Sequence, residues 1–183
     1  MTTLLIAGDS FSADWTAKYN VKGWPNLLDE YHVTNVSQAG ASEYKIYKQM
    51  LGSIKHDKTI ICHTSPYRIP VIRHPVHYSD PLHHDSDLIY ADISSHDNEL
   101  ARVATEFYEN LFDLEHAEFS HNLLVEHLLG QYPDALHITF FKLDNKNVIS
   151  FNDIFEKHRG DANHLSDVGN MMTLNRIRTL LKI

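Results

Sequence analysis

The sequence predicts an α/β sandwich, in which helices cover a parallel sheet. Short continuous apolar runs, typical of strands buried on both faces, recur along the chain. Segments with apolar residues at helical spacing separate these runs, and the order strand, helix, strand is the one that right-handed crossovers produce. With 183 residues the chain is long enough for one ordinary core and too short for two. We therefore expect a single domain over residues 1–183.

Four apolar runs give the predicted strands. The first covers residues 3–7 and stops at Gly8-Asp9-Ser10, which indicates a buried strand that ends in a tight turn. The other three cover residues 32–36, 59–62 and 135–141.

Helical spacing predicts crossover helices over residues 24–31 and 43–54. The longest helical region begins near Ser94, where Ser94-x-x-Asp97 has the pattern of a capping box. Its apolar residues fall on one face: Leu100, Val103, Ala104, Phe107, Leu111 and Leu114. We expect a break within residues 116–120, a further helix over 123–129 and a last helix over about 166–181.

Residues 66–93 contain four prolines and no sustained periodicity, which predicts a long loop or lid. Its place after the third strand puts it beside the carboxyl edge of the sheet, where it would border a site. A plain insertion without a function is the alternative.

Composition and charge exclude several classes of protein. Hydrophobic residues make up 43% and charged residues 22%, so the chain is globular rather than disordered or low in complexity. Lys and Arg number 16 against 24 Asp and Glu, a net charge of -8 that poorly suits a phosphate backbone or an anionic membrane. We expect neither nucleic acid nor a membrane as partner. Oligomeric state is not predicted.

The compartment is predicted from what the first residues and the cysteine content show. The single cysteine, Cys62, has no internal disulfide partner, and the first ten residues carry no basic stretch of the kind that opens a signal peptide. No segment reaches the ~20 apolar residues of a membrane-spanning helix. A cytoplasmic protein is the simplest expectation.

Ser10 is the first candidate for chemistry. It follows the first predicted strand, at the edge where open α/β sheets bind ligands, so its hydroxyl would be exposed beside the N–H groups of the turn. A catalytic nucleophile suits this position. The alternative is an ordinary turn, because Gly, Asp and Ser are common turn residues.

Asp161 and His164 precede the last predicted helix. A carboxylate three residues before an imidazole in a loop can reach its ring, fix its tautomer and stabilise the imidazolium, as a general base requires. The alternative is a turn residue and a surface histidine. In both interpretations Ser166 is the N-cap of the helix.

Gly40 follows the second predicted strand. A glycine there permits the close backbone approach that an oxyanion donor needs. Alone, it would be explained as a residue that turns the chain into the next helix.

Taken in order, these pieces resemble the SGNH, or GDSL-type, hydrolase superfamily. That family builds one ester-cleaving site from an N-terminal Gly-Asp-Ser, a glycine after the second strand, an asparagine after the third and an Asp-x-x-His near the C-terminus. Gly8-Asp9-Ser10, Gly40 and Asp161-Ala162-Asn163-His164 match three of the four. The resemblance spans nearly the whole chain. It implies a flavodoxin-like three-layer α/β/α sandwich with a mostly parallel sheet of about five strands, and a triad of Ser10, His164 and Asp161.

The third element departs from the family. After the third strand the chain reads Cys62-His63-Thr64-Ser65-Pro66-Tyr67-Arg68, without the expected asparagine. Ser65 stands at that position and could donate one hydrogen bond to the oxyanion hole from a shorter arm. Thr64, His63 and Arg68 are the other candidates for the missing donor.

The histidines of the loop raise the possibility of a metal. His74-x-x-His77 and His83-His84, with nearby aspartates, supply potential ligands. The chain has no HExxH and no cysteine ligand set, and 14 histidines produce clusters by chance. We expect no metal and no cofactor.

The sequence therefore favours a serine-dependent ester hydrolase that removes a short, acetyl-like acyl group through an acyl-enzyme. The resemblance implies a small-molecule or carbohydrate ester as substrate. An acyltransferase of the same fold and a weakened binding or structural module remain the alternatives.

Overall fold

A five-stranded, wholly parallel sheet forms the centre of the protein, so the predicted α/β sandwich is confirmed. The computed structural model describes residues 1–161 and 164–182. The strand order is β2-β1-β3-β4-β5. The strands are β1 Thr3–Gly8, β2 His32–Asn35, β3 Lys58–His63, β4 Leu136–Thr139 and β5 Ile149–Ser150.

Strand β1 lies between two neighbours and is buried on both faces. Leu4 and Ile6 pack into one core with Trp24, whereas Leu5 and Ala7 pack on the opposite face. This accounts for the continuous apolar run, since a strand covered on both sides has no polar face to alternate with. The two faces of β1 therefore contribute to both cores of the fold.

Helices cover both faces of the sheet and contribute to both cores. They are α1 Thr16–Tyr19, a 3₁₀ turn Trp24–Leu27, α2 Glu43–Leu51, α3 Tyr90–Ile93, α4 Glu99–Asn110, α5 Leu114–Gln131, α6 Asn152–Lys157 and α7 Asp167–Leu180. The predicted cap of the last helix is confirmed, because the Ser166 hydroxyl accepts the N–H of Gly169 at 3.3 Å.

The structure corrects two of the helix predictions. The helix predicted over residues 24–31 is only a 3₁₀ turn, Trp24–Leu27. The long helix begins at Glu99 rather than Ser94, because the Asn98 side chain caps it by accepting the N–H of Ala101 at 2.9 Å. Ser94 instead ends α3.

The predicted break within residues 116–120 is also wrong. The chain breaks at residues 111–113, where the Asp113 carboxylate accepts the N–H of His116 at 2.9 Å and starts α5. Helix α5 then runs without interruption to Gln131. No helix in the described ranges has both the length and the apolar character needed to cross a membrane.

Gly8 is the residue that allows β1 to lie close to both β3 and the turn that follows. A Cβ at this position would lie 2.3 Å from Ser12 Oγ and 2.6 Å from Cys62 Cβ. Only a residue without a side chain therefore fits between these two neighbours.

We predict that Gly8→Ala destabilises the protein by about 3 kcal/mol, because overpacked buried sites force their neighbours to shift. Gly130→Ala is the matched control, since a Cβ added there would have nothing within 4 Å and the residue occupies the last turns of α5. That variant should gain up to about 1 kcal/mol from helix propensity. Denaturant unfolding of both variants measures the difference, and equal stabilities would contradict the close packing at Gly8.

Candidate functional site

Ser10 lies in a tight turn at the carboxyl end of β1. The N–H of Ser12 donates to the Asp9 carbonyl at 3.1 Å, and the N–H of Phe11 donates to the Asp9 carboxylate at 3.0 Å. The indole N–H of Trp15 closes the turn by donating to the Ser10 carbonyl at 2.9 Å. Three hydrogen bonds thus hold the backbone around the candidate nucleophile.

A cavity of about 1000 Å³ opens above this turn. It brings together five residues that the sequence singled out and that lie far apart along the chain: Ser10, Gly40, Arg68, Asp161 and His164. They come from the carboxyl end of β1, the segment after β2, the segment after β3 and the turn before α7. The carboxyl edge of a parallel sheet is where such segments converge.

Asp161 and His164 belong to one turn. The His164 N–H donates to the Asp161 carbonyl at 3.0 Å, and the His164 carbonyl accepts the N–H of Gly160 at 2.6 Å. The two middle residues of the motif, Ala162 and Asn163, lie outside the described residues. Two aromatic rings position the imidazole: the centroid of Trp15 lies 4.4 Å from that of His164, and the centroid of Phe11 lies 5.6 Å away.

Gly40 lines the same cavity and has a positive φ of 76°. A Cβ there would lie 2.4 Å from Ser86 Oγ, so both the backbone conformation and the space favour glycine. Within residues 1–161 and 164–182, the main-chain N–H groups of Ser10 and Gly40 have no hydrogen-bond acceptor. Both remain available as donors.

Asp87 connects the long loop to the Gly40 turn by hydrogen bonds. The sequence analysis did not identify this role. Its fully buried carboxylate accepts the N–H of Ser42 at 2.9 Å and that of Val71 at 3.0 Å, and it forms an ion pair with Lys45 at 2.8 Å. Its own N–H donates to the Gly40 carbonyl at 2.9 Å. An isolated aspartate in a proline-rich stretch carried no local signal of these long-range contacts.

The loop over residues 66–93 borders the cavity of Ser10. Its residues in the cavity wall are Arg68, His77, His83, Ser86, Ile89, Ala91 and Asp92. The loop therefore contributes much of the polar surface that a ligand would meet.

The segment after β3 divides between two cavities. Arg68 lines both the large cavity and a smaller one of about 340 Å³, whereas Ser65 lines only the smaller one. The Ser65 hydroxyl accepts the N–H of Tyr67 at 3.3 Å, and the Thr64 hydroxyl donates to the Asp9 carboxylate at 2.8 Å. Of the four candidates for the missing donor, Arg68 alone is placed in the wall of the Ser10 cavity.

His63 belongs instead to a buried chain of ionisable groups. Its Nδ1 lies 2.7 Å from a Glu43 carboxylate oxygen, its Nε2 lies 2.9 Å from His137 Nδ1, and His137 Nε2 lies 2.9 Å from the Tyr132 carbonyl. A carbonyl only accepts, so His137 carries its proton on Nε2. The three bonds thus hold three protons, the number at which this set of one carboxyl group and two imidazoles carries no net charge.

The charges within this set follow from the surroundings. Burial raises the pKa of Glu43, but the neighbouring His63 and His121 outweigh it and lower that pKa to about 2. Burial lowers the pKa of His137. Glu43 is therefore ionised within this buried set.

Asp9, which precedes Ser10 in the chain, is a second buried carboxyl group. Burial raises its pKa, and the Arg68 guanidinium at 3.7 Å, the Phe11 N–H and the Thr64 hydroxyl oppose that rise. Thr64 also donates its N–H to Glu43 at 3.1 Å. One residue therefore links the two buried carboxyl groups.

Among the described residues, His74, His77 and Asp92 come close enough for a shared metal ion, with potential ligand atoms within 4.8 Å of one another. The Nδ1 of His74, however, accepts the N–H groups of Val76 at 3.2 Å and His77 at 3.1 Å. A neutral imidazole has one lone-pair nitrogen, so Nε2 carries the proton and is a donor. This polarity disfavours metal binding through His74.

Comparison with known proteins finds no family model that matches the chain. No curated protein is significantly similar to it in sequence. The geometry of the site therefore carries the functional argument.

We predict that His74→Asn reduces the loss of stability in mild acid. Burial and neighbouring imidazoles lower the pKa of His74 to about 4, below its ordinary value of 6.5. As the pH falls, the His74 side chain is therefore protonated at a higher pH in the unfolded chain than in the folded protein. The stability contributed by neutral His74 is present above pH ~6.5 and lost as the pH falls to ~4. Asparagine keeps an acceptor for the same N–H groups and does not titrate.

The measurement is denaturant unfolding at pH 7 and pH 4.5. The native protein should lose roughly 2 kcal/mol more than His74→Asn between these values. The control is His84→Asn, which changes a solvent-exposed histidine of the same loop and should behave as the native protein does. Identical losses in all three proteins would show that His74 does not titrate as described.

Proposed function

We propose that the protein is a serine-dependent ester hydrolase of the SGNH type, with Ser10 as nucleophile, His164 as general base and Asp161 as the residue that orients it. One observation carries the proposal: Ser10, Gly40, Asp161 and His164, from three distant segments, line a single cavity at the carboxyl edge of the sheet. Order along the chain and convergence in space together support a common site.

In the proposed reaction, the Ser10 hydroxyl oxygen attacks the ester carbonyl carbon while His164 takes the hydroxyl proton. The tetrahedral intermediate then collapses, the bond to the alcohol oxygen breaks, and His164 returns the proton to the departing alcohol. Water attacks the resulting acyl-enzyme with the same base assistance, which releases the carboxylic acid and restores the Ser10 hydroxyl.

The oxyanion of that intermediate would accept hydrogen bonds from the main-chain N–H groups of Ser10 and Gly40. Neither depends on a side chain, so the departure from the family after β3 leaves these two donors in place. For the third donor we favour Arg68 over Ser65, because Arg68 lines the cavity that holds Ser10. A guanidinium stabilises developing negative charge and keeps its proton.

The cavity wall supports a substrate with both polar and apolar parts. Trp15, Tyr19, Phe141 and Phe155 supply aromatic surface, and His77, His83 and Asp92 supply hydrogen-bonding groups. Aromatic faces beside such groups suit the ring of a sugar. A short acyl ester of a carbohydrate is therefore our proposed substrate class.

We predict that Ser10→Ala lowers the rate of hydrolysis of a chromogenic acetyl ester by about 1,000-fold or more, because the nucleophile is lost. Its melting temperature should stay within a few degrees of that of the native protein, since no side-chain hydrogen bond of the turn depends on the Ser10 hydroxyl in the described part of the chain. The matched control is Ser95→Ala, which removes an exposed serine outside the cavity.

A fluorescent phosphonate that reacts with activated serines separates the alternatives. Labelling that depends on Ser10, with ester turnover, supports the hydrolase. Labelling without turnover in water, but with turnover when a sugar is added as acyl acceptor, indicates an acyltransferase. A native protein that neither turns over the ester nor reacts with the phosphonate would indicate a binding module and contradict the proposal.

We also predict that Trp15→Phe lowers kcat by about tenfold, because phenylalanine retains a ring beside His164 but loses the hydrogen bond to the Ser10 carbonyl. Phosphonate labelling should slow in parallel. Tyr19→Phe is the control, because Tyr19 lies in the same cavity wall. Its ring contacts Trp15, and phenylalanine keeps that ring. Equal kcat values in the two variants would rule out a positioning role for the indole N–H.

A further inference from the structure

The outer face of α4 carries an apolar stripe that the catalytic proposal does not use. It consists of Leu100, Val103, Phe107 and Leu111, which follow one another at spacings of three, four and four residues. Between 40% and 73% of each residue is exposed. The sequence pattern predicted an apolar helix face, and that face points into solvent rather than onto the sheet.

The orientation of α4 is fixed by its opposite face. Ala101 is fully buried, and the Tyr108 hydroxyl donates to the Leu88 carbonyl at 2.7 Å and lies 3.1 Å from the Tyr67 carbonyl. The helix is thus anchored to the loop by its polar and small residues. Rotating the stripe inward would break these contacts.

The stripe leads into the smaller cavity described above. Phe107 and Leu111 form part of its wall, together with Phe112, Tyr44 and Ile69. Its volume of about 340 Å³ is enough for one large aliphatic or aromatic side chain. Exposed apolar side chains beside an apolar cavity are typical of surfaces that bind an amphipathic helix. We refer to the stripe and the adjoining cavity together as the groove.

Acidic side chains outnumber basic ones along the segment that carries the stripe. Residues 99–118 hold one arginine, Arg102, one histidine, His116, and six acidic side chains: Glu99, Glu106, Glu109, Asp113, Glu115 and Glu118. None of the six forms an ion pair with another residue in the described portion of the chain. Glu99 and Glu106 lie four residues before and three after Val103, so they flank the stripe directly.

We propose that the stripe and the adjoining cavity bind a basic amphipathic helix of a partner protein. Apolar residues of the partner at helical spacing would cover Val103, Phe107 and Leu111, and one of them would enter the cavity. Lys or Arg on the flanks of the partner would face the uncompensated carboxylates. This inference does not depend on the proposed ester hydrolysis.

Charge favours this occupant over two others. A second copy of the chain would bring the same six carboxylates against each other across a two-fold axis. An anionic membrane surface would repel them as well. A basic helix satisfies both the apolar and the charged part of the surface.

The experiment uses the full chain and a fluorescein-labelled 18-residue probe peptide, with leucines at spacings of three and four and lysines elsewhere. Fluorescence anisotropy should show binding with a dissociation constant of roughly 10 μM or tighter, weakening as salt is added. The same peptide with glutamate in place of every lysine should bind at least tenfold more weakly.

Variants locate the site. Val103→Asp and Leu111→Asp should each weaken binding of the lysine probe at least tenfold, because they place a charge in the apolar stripe. Ile54→Asp is the control, since Ile54 is 79% exposed and lies just beyond α2, outside the groove. Unchanged melting temperatures establish that the variants are folded.

Three outcomes would overturn the proposal. One is probe binding that Val103→Asp and Leu111→Asp leave unchanged, and another is the absence of binding at 100 μM. The third is occupation of the surface by something else, seen either as a dimer in sedimentation that Leu111→Asp dissociates, or as attachment to phosphatidylcholine vesicles that Leu111→Asp abolishes.

Discussion

A buried polar layer at the carboxyl edge of the sheet is the constraint on which the site depends. Thr64 joins its two carboxyl groups, because its hydroxyl donates to Asp9 and its N–H donates to Glu43. A buried carboxyl group is tolerated only when its oxygens are hydrogen-bonded, so neither strand end can shift without leaving a buried polar group unsatisfied. The turn with Ser10 and the segment after β3 are thereby fixed relative to each other.

The loop over residues 66–93 is fixed to the Gly40 turn by a third buried carboxyl group, that of Asp87. The Asp87 carboxylate accepts the N–H groups of Ser42 and Val71 and forms an ion pair with Lys45. The Asp87 N–H donates to the Gly40 carbonyl. The two N–H groups proposed for the oxyanion hole thus belong to two turns, each of which is hydrogen-bonded to a buried aspartate. Such preorganisation keeps donors in place without reorganisation during a reaction.

The protein presents two surfaces of different character, and they lie on different parts of the fold. The cavity of Ser10 lies over the carboxyl edge of the sheet, whereas the apolar stripe lies on the outer face of α4. Arg68 lines both the large cavity and the smaller one that adjoins the stripe. A partner bound at α4 would therefore contact the cavity wall that holds the proposed third oxyanion donor.

Local sequence determined much of the fold and part of the site. The apolar runs specified β1 to β4, since a strand buried on both faces must be apolar throughout, and Ser166 was recognisable as a cap because its hydrogen bond spans only three residues. The order Gly8-Asp9-Ser10, Gly40, Asp161 and His164 predicted which segments meet at one cavity.

Tertiary structure alone decided the rest, because the deciding contacts join residues distant in sequence. Asn98 and Ser94 are equally good caps in isolation, but the structure has Asn98 as the cap of α4 and Ser94 at the end of α3. Glu43 resembles an ordinary acid in the first turn of a helix until His63 and His121 surround it. The burial of Ser65 beside the smaller cavity, the ring of Trp15 against His164 and the exposure of the α4 stripe likewise depend on where other elements lie, which no local pattern encodes.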